Sequence, residues 1–250
     1  GRISIHTFED TIARRWSEFY YTDLLAIRTI TRIRSLCMEY AEKQGYDFVI
    51  IDLSPSLGLL NKVIISTVDG FIIPCIPDMF SLYAIQHIGK ALKRWKYEFE
   101  TILAILSERK LAYFPRSFVS FLGFTLLNAQ PYSGVNNLWN LSKAPDNSAK
   151  QIPTTIREHI CPDFRRHLSE DQLEEPIGGT LIMDLFGMQK MAQKYKMPIW
   201  KVPSYDNLDT DDKETISVNR HRFEETQQGF HIFAKDLLTR LQQLETKSND

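Results

Sequence analysis

Two periods alternate along the chain. Short unbroken apolar runs suit strands covered on both faces. Between them lie longer stretches in which apolar residues return every three or four positions, as they do on a helix with one buried face. Strands are predicted at residues 48–51 (Phe-Val-Ile-Ile), 71–75, 118–127 and 181–185, with an extended segment at 198–202. Helices are predicted over 8–19, where Phe8, Ile12 and Trp16 share a face, and over 23–43, where Ile27, Ile30, Ile33, Cys37 and Ala41 do. Gly45 stands where that second helix should stop. Further helices are predicted from Leu59 to about Val68, over 81–110 (Leu82, Ile85, Ile88, Leu92 and Trp95), and over 152–169, 186–195 and 219–244. Residues 129–151, rich in Asn, Ser, Pro and Gln, and residues 203–217, acidic and polar, are predicted loops. Buried strands alternating with helices imply right-handed crossovers and a parallel sheet, so the expected class is α/β.

Composition narrows the function. A chain of 250 residues with 43% hydrophobic and 24% charged residues has ample material for a core. Its formal net charge of −1 supplies no global field toward DNA or anionic lipid, so any nucleic-acid contact must come from a local patch. Cys37, Cys75 and Cys161 are far apart and show no zinc spacing. Cys37 and Cys75 sit in apolar patterns and read as buried thiols of a reducing compartment. The six histidines are dispersed, and no nucleophile-elbow motif occurs. With no signal-peptide pattern and no apolar run near 18 residues, a cytoplasmic location without a membrane partner is expected.

The strongest candidate chemistry sits where the first apolar run ends. Asp52 closes it, and Ser54, Pro55, Ser56 and Gly58 follow before helical spacing resumes. Open α/β sheets place their ligands at the carboxyl ends of their strands. A carboxylate there either holds a magnesium ion or caps the next helix, and the local pattern leaves both open. Lys90, Lys93, Arg94 and Lys96 cluster on the polar side of the long helix. They suit either phosphate contacts or a solvated face. Arg157, Arg165, Arg166 and His167 form a second basic stretch with the same two readings.

The segment Tyr46-Asp47-Phe48-Val49-Ile50-Ile51-Asp52-Leu53-Ser54-Pro55-Ser56-Leu57-Gly58, continued by Asp69-Gly70-Phe71-Ile72-Ile73-Pro74-Cys75-Ile76-Pro77-Asp78-Met79-Phe80-Ser81-Leu82, resembles the ParA family of partition ATPases, relatives of MinD. The corresponding family strands read like YDYVIIDxPPSLG and ADxxIIPVxPDxFSLxGI, and the likeness runs nearly without gaps from Tyr46 to about Trp95. Weaker echoes lie at 121–128 and 191–199.

The resemblance implies a P-loop NTPase-like fold, a mainly parallel sheet flanked by helices. It implies ATP and Mg2+ as cofactors, a homodimer, non-specific DNA and a ParB-like partner protein. It assigns Asp52 to catalysis and the magnesium site, Ser56 and Gly58 to the switch that senses the γ-phosphate, Asn128 to the adenine, and Pro74, Pro77 and Asp78 to the wall of the base pocket. It assigns Lys90, Lys93 and Arg94 to DNA. Each assignment has a plain structural alternative as a turn, cap or solvated residue.

One part of the pattern is missing. The family's phosphate loop, KGGxGKT, has no counterpart, because no Gly-rich loop followed by Lys-Ser/Thr occurs in the chain. Residues 1–250 then read as a single ParA-like ATPase domain, incomplete at its amino terminus, with the first strands and the loop absent. Two functions follow. The chain is a portion of an ATPase acting in plasmid or chromosome segregation, or it is a non-catalytic interaction protein that kept the fold. A sheet without its loop strand leaves neighbouring strands unpaired, which lowers stability or invites association through exposed edges.

Overall fold

A computed structural model of the protein describes residues 5–54, 56–128, 143–179, 181–183 and 188–249. In chain order the elements are α1 (Ile5–Tyr20), α2 (Leu24–Ile30), α3 (Arg32–Gln44), α4 (Leu59–Ile65), β1 (Gly70–Cys75), α5 (Met79–Leu103), α6 (Glu108–Leu111), β2 (Ser120–Asn128), α7 (Lys143–His159), α8 (Pro162–Arg165), α9 (Glu170–Glu174), β3 (Leu181–Met183), α10 (Met188–Tyr195) and α11 (Thr210–Asn249). The protein is a mostly helical α/β chain with a small sheet of order β1-β2-β3. β2 and β3 run parallel, with Leu126 opposite Leu181 and Asn128 opposite Met183.

The chain divides into two compact units. The first comprises residues 1–71, 86–121 and 159–165. Its core joins Ile12 and Phe19 of α1, Ala26, Ile27 and Ile30 of α2, Val63 of α4, Phe99 and Ile102 of α5, and Phe114. The rings of Phe19 and Phe99 lie 5.7 Å apart. Asp23 caps α2, its carboxylate accepting from the Ala26 N–H at 2.9 Å. The helix predicted over 23–43 breaks at buried Thr31, whose hydroxyl donates to the Ile27 carbonyl at 2.9 Å. α3 buries no residue fully and ends at Gly45, whose φ of 69° is the left-handed stop that glycine permits. Lys62 is buried, paired with Glu98, and its ammonium lies 4.0 Å from the Trp16 ring centroid.

The predicted strand at 48–51 does not form. The segment is extended without ladder pairing, and Ile50 is 91% exposed, with Phe48 and Val49 also open to water. A strand needs a neighbour to satisfy its N–H and C=O groups. Among the described residues none lies beside this run.

The second unit comprises residues 72–85, 122–158 and 166–250. Met188 and Met191 of α10 pack with Val202, Ile216 and Phe223. Arg240 of α11 is fully buried. It pairs with Asp236 at 3.0 Å and donates to the carbonyls of Leu122 in β2 and Gln172 in α9, each at 3.0 Å. Gly123 makes room for it. Its φ is +132°, and a Cβ there would lie 2.6 Å from the Arg240 guanidinium.

Several boundaries differ from expectation: the helix predicted over 81–110 stops at Leu103 and is followed by the short α6, and the one predicted over 152–169 divides into α7 and α8. Residues 143–151, predicted as loop, form the first turns of α7, where Ala149 and Ile152 are buried and Lys150 pairs with Asp146 at 2.6 Å; residues 129–142 lie outside the described residues. The polar stretch 203–217 is largely helical, because α11 starts at Thr210. Asp211 and Asp212 occupy its first turn, where carboxylates face unpaired N–H groups. Asn219 departs from helical geometry (φ −111°, ψ 16°), which kinks α11 near the predicted helix start. Residues Ile199–Ser204 form a 3-10 helix where an extended segment was expected, with Pro203 inside it.

Candidate functional site

Asp52 is exposed in the turn-rich segment before α4 and has no hydrogen-bond or ion-pair partner among the described residues. The turn that follows is held from inside. Asn61, buried on α4, donates through its side-chain amide to the carbonyls of Ser54 at 2.7 Å and Ser56 at 2.8 Å. The Ser54 and Ser56 hydroxyls lie 3.3 Å apart. Glu9, from α1, closes the other side: its carboxylate accepts from the Leu60 N–H at 3.3 Å, in the first turn of α4. A Cβ on Gly58 would sit 3.2 Å from that carboxylate oxygen.

Ser56 and Gly58 are therefore brought together around the start of α4, where the resemblance expects a phosphate to be sensed. The group found there is the Glu9 carboxylate. A negative charge at a helix start is favourable, and a second anion in the same place would be repelled by it. Among the described residues no cluster of three or more His, Cys, Asp or Glu side chains could hold a metal ion. An exposed carboxylate with no partner among the described residues, with Glu9 already at the start of α4 and no phosphate loop in the sequence, does not make a magnesium-triphosphate site. The residues present do not fit that group by themselves.

The remaining predicted residues have plainer roles. Asp78 accepts from the Ser81 N–H at 2.8 Å, and the Ser81 hydroxyl accepts from the Ile76 N–H at 3.0 Å, so this pair caps α5. Pro74 is an exposed residue of edge strand β1, and Pro77 is buried in the turn before the cap. The backbone of Asn128 ends β2 opposite Met183; its side chain lies outside the described residues.

On α5, Lys90, Lys93 and Arg94 are exposed. Lys90 and Lys93 have no carboxylate partner among the described residues, and Arg94 has Glu98 at 3.7 Å. Lys96 is spent internally on Asp163 at 2.6 Å and Glu100 at 3.6 Å. The second basic stretch is also engaged. Arg157 reaches Glu170 at 3.2 Å and pairs with Glu174, and its proton is held more tightly mainly through the Glu174 bond.

Cys75 is buried and its thiol is pushed up to about 12, by burial and then by the charge of Asp78. Cys37, predicted as buried, is only half-buried, because no described element covers α3 fully. Sequence reasoning missed Glu9 and Asn61 as the clamps of the turn. The amide of Asn61 just inside α4, beside a Ser-rich turn, was the one local signal.

A family model described as an AAA domain matches residues 23–105. That span includes Asp52, Ser56, Gly58, Pro74, Pro77, Asp78, Lys90, Lys93 and Arg94 and stops short of Asn128. Over 46 residues the chain is 48% identical to an uncharacterized protein, MJECL24 of Methanocaldococcus jannaschii, covering 18% of this chain and 17% of that one. The crystal structure of protein DIP2308 from Corynebacterium diphtheriae is similar over 63% of this chain and 54% of its own, at 21% identity and a TM-score of 0.43. The chain thus spans about half of one of these proteins and a much smaller share of the other. Among the described residues no helix is long and apolar enough to cross a membrane.

Proposed function

We propose that this chain is the magnesium-aspartate and DNA-contacting portion of a ParA-like ATPase, with its phosphate-binding loop supplied from outside these 250 residues. The AAA-domain match over residues 23–105 carries the reading, because it encloses both Asp52 and the basic face of α5. In the whole protein Asp52 would help hold Mg2+ and the added loop would hold ATP, which together would supply phosphoryl transfer to water. Glu9 would yield its place at α4 to the phosphate, and two copies would associate on DNA. A ParB-like partner would stimulate hydrolysis during plasmid or chromosome partition. Lys90, Lys93 and Arg94 need only meet phosphates, so the contact is independent of base sequence and weakens with salt.

The test is fluorescence anisotropy on a mixed-sequence duplex, with K90A/K93A/R94A as comparison. Binding that falls with salt and is lost in the variant supports the reading. Equal binding by both proteins, or none by either, refutes its DNA half. Calorimetry with Mg-ATP on this chain should show no heat specific to Asp52, since the loop is absent and Glu9 is in place. Tight binding abolished by Asp52→Ala would show instead that another group supplies the phosphate site.

A second reading has its own support. The Glu9 clamp on α4 and the uncovered run at 48–51 suit a non-catalytic protein that completes its fold on a partner. It predicts stable behaviour with no response to nucleotide and no affinity for DNA.

A further inference from the structure

One face of α5 is bare along most of its length. Phe80, Tyr83, His87, Lys90, Arg94 and Tyr97 follow one another at spacings of three, four, three, four and three residues. At roughly 100° per residue they fall within an arc of about 100°. All six are exposed, Phe80 at 75% and Tyr97 at 73%. Lys93 adjoins the stripe and is also exposed. α5 is unbroken from Met79 to Leu103, so this one helix places all six and needs nothing from any other element.

No carboxylate interrupts the face between Phe80 and Tyr97. Of the acids at its ends, Asp78 is turned to the Ser81 N–H. Glu98, largely covered, is shared between Lys62 and Arg94.

We propose that this stripe binds single-stranded nucleic acid, with bases stacked on Phe80, Tyr83 and Tyr97 and phosphates held by Lys90, Lys93 and Arg94. Rings on a wet surface lose the burial that the same side chains gain in the core, where Phe19, Phe99 and Phe114 sit. A base restores that burial through its π-face, and every base has one. In a duplex those faces are already stacked internally, so the rings distinguish single strand from duplex while the cations do not. From Phe80 to Tyr97 the helix runs about 25 Å, a span suited to the smallest single-strand sites of roughly four nucleotides.

Two other occupants fit less well. The core of a protein interface is depleted in lysine, yet here Lys90 and Arg94 lie between rings on one face. A membrane-surface helix separates its apolar and basic faces, and α5 mixes them on its open side.

The proposal rests on the nucleic-acid reading of the same helix and deepens it. Its test uses the full chain with fluorescein-labelled oligo-dT of about 20 nucleotides and a duplex of equal length. Wild type is compared with F80A/Y83A/Y97A and K90A/K93A/R94A, and Y97A alone serves if circular dichroism shows the aromatic triple variant misfolded. The aromatic triple variant should lose about tenfold or more on oligo-dT and stay within about twofold on duplex, while Y97A alone should lose roughly fivefold. The basic variant should lose both ligands and flatten the salt dependence.

Wild-type affinity of the aromatic variant for oligo-dT would overturn stacking; the wider DNA reading would survive if the basic variant still lost the duplex. No binding of either nucleic acid would overturn both. Co-sedimentation with phosphatidylserine vesicles that exceeds oligo-dT binding and needs the rings would overturn the proposal in favour of a lipid surface.

Discussion

Replacing His167 by leucine probes how the end of α11 is held. The imidazole is 4% exposed, and among the described residues neither ring nitrogen has a hydrogen-bond partner. Positive charge reaches it from α11 and from the preceding residue. Arg240 and Lys247 come from α11, and Arg166 lies next to it in sequence; the Lys247 ammonium donates to the Arg166 carbonyl at 2.7 Å. Burial first, then repulsion from Lys247, Arg240 and Arg166, brings the imidazole down to about 4. In the unfolded chain it titrates near about 6.5, so protonation favours unfolding. The stability linked to the neutral ring is complete above about pH 6.5, declines as pH falls toward 4 and levels off below that. The interval is worth about 3 kcal/mol.

Urea unfolding at a series of pH values between about 7.5 and 4 should show wild type losing about that much more than His167→Leu. At pH 7 the variant should equal or exceed wild type, because two unpaired buried nitrogens are removed. Parallel pH profiles, or a leucine variant several kcal/mol weaker at pH 7, would refute the reasoning and show that the ring nitrogens are bound.

Gly123→Ala should destabilise by about 2 kcal/mol or more, since its Cβ would meet Arg240 at 2.6 Å and Ile177 at 2.8 Å on a backbone with φ +132°; an unchanged thermal midpoint would mean that β2 yields freely. Glu98→Gln should lose roughly 2–3 kcal/mol in denaturant titration by leaving buried Lys62 without its counter-charge, and a neutral result would mean that the Trp16 ring suffices. Asp52→Asn should stay within about 0.5 kcal/mol of wild type, because the carboxylate is exposed and has no partner among the described residues; a larger loss would make it a structural cap. In native protein near pH 8, Ellman's reagent should leave Cys75 untouched and reach half-buried Cys37 and Cys161, and equal rates at all three thiols would contradict the assigned burial.

Helices whose buried face is local were legible from spacing. Ile12 and Trp16 placed α1, Ile85, Leu92 and Trp95 placed α5, and Gly45 marked a stop that its left-handed geometry realises. The run at 48–51 was misread because its composition demands two covered faces, whereas cover comes from neighbours that the run does not encode. Polar composition hid the start of α7, where Asp146 and Lys150 support each other one turn apart while Ala149 and Ile152 face inward. Of the candidate site, residue types were readable and partners were not. The Glu9 contact to α4 joins residues 51 positions apart. The charge of Arg157 is absorbed by Glu170 and Glu174 further along the chain. Lys90 and Lys93 looked the same in sequence as Lys96, and only distance to a carboxylate separates them.

The uncovered run at 48–51 also bears on colloidal behaviour. Four uncovered apolar residues of high strand propensity offer an unpaired edge on which copies of the chain could associate. Asp47 and Asp52 bracket it, and both are exposed. In a parallel, in-register stack each aspartate would sit about 4.8 Å above its own copy, so every added layer would meet two rows of like charge. The pair thus acts as gatekeepers against growth. Their protection fades in high salt, where the charge is screened. A protein kept at low ionic strength should stay dispersed, and the same solution brought to high salt should associate through this segment.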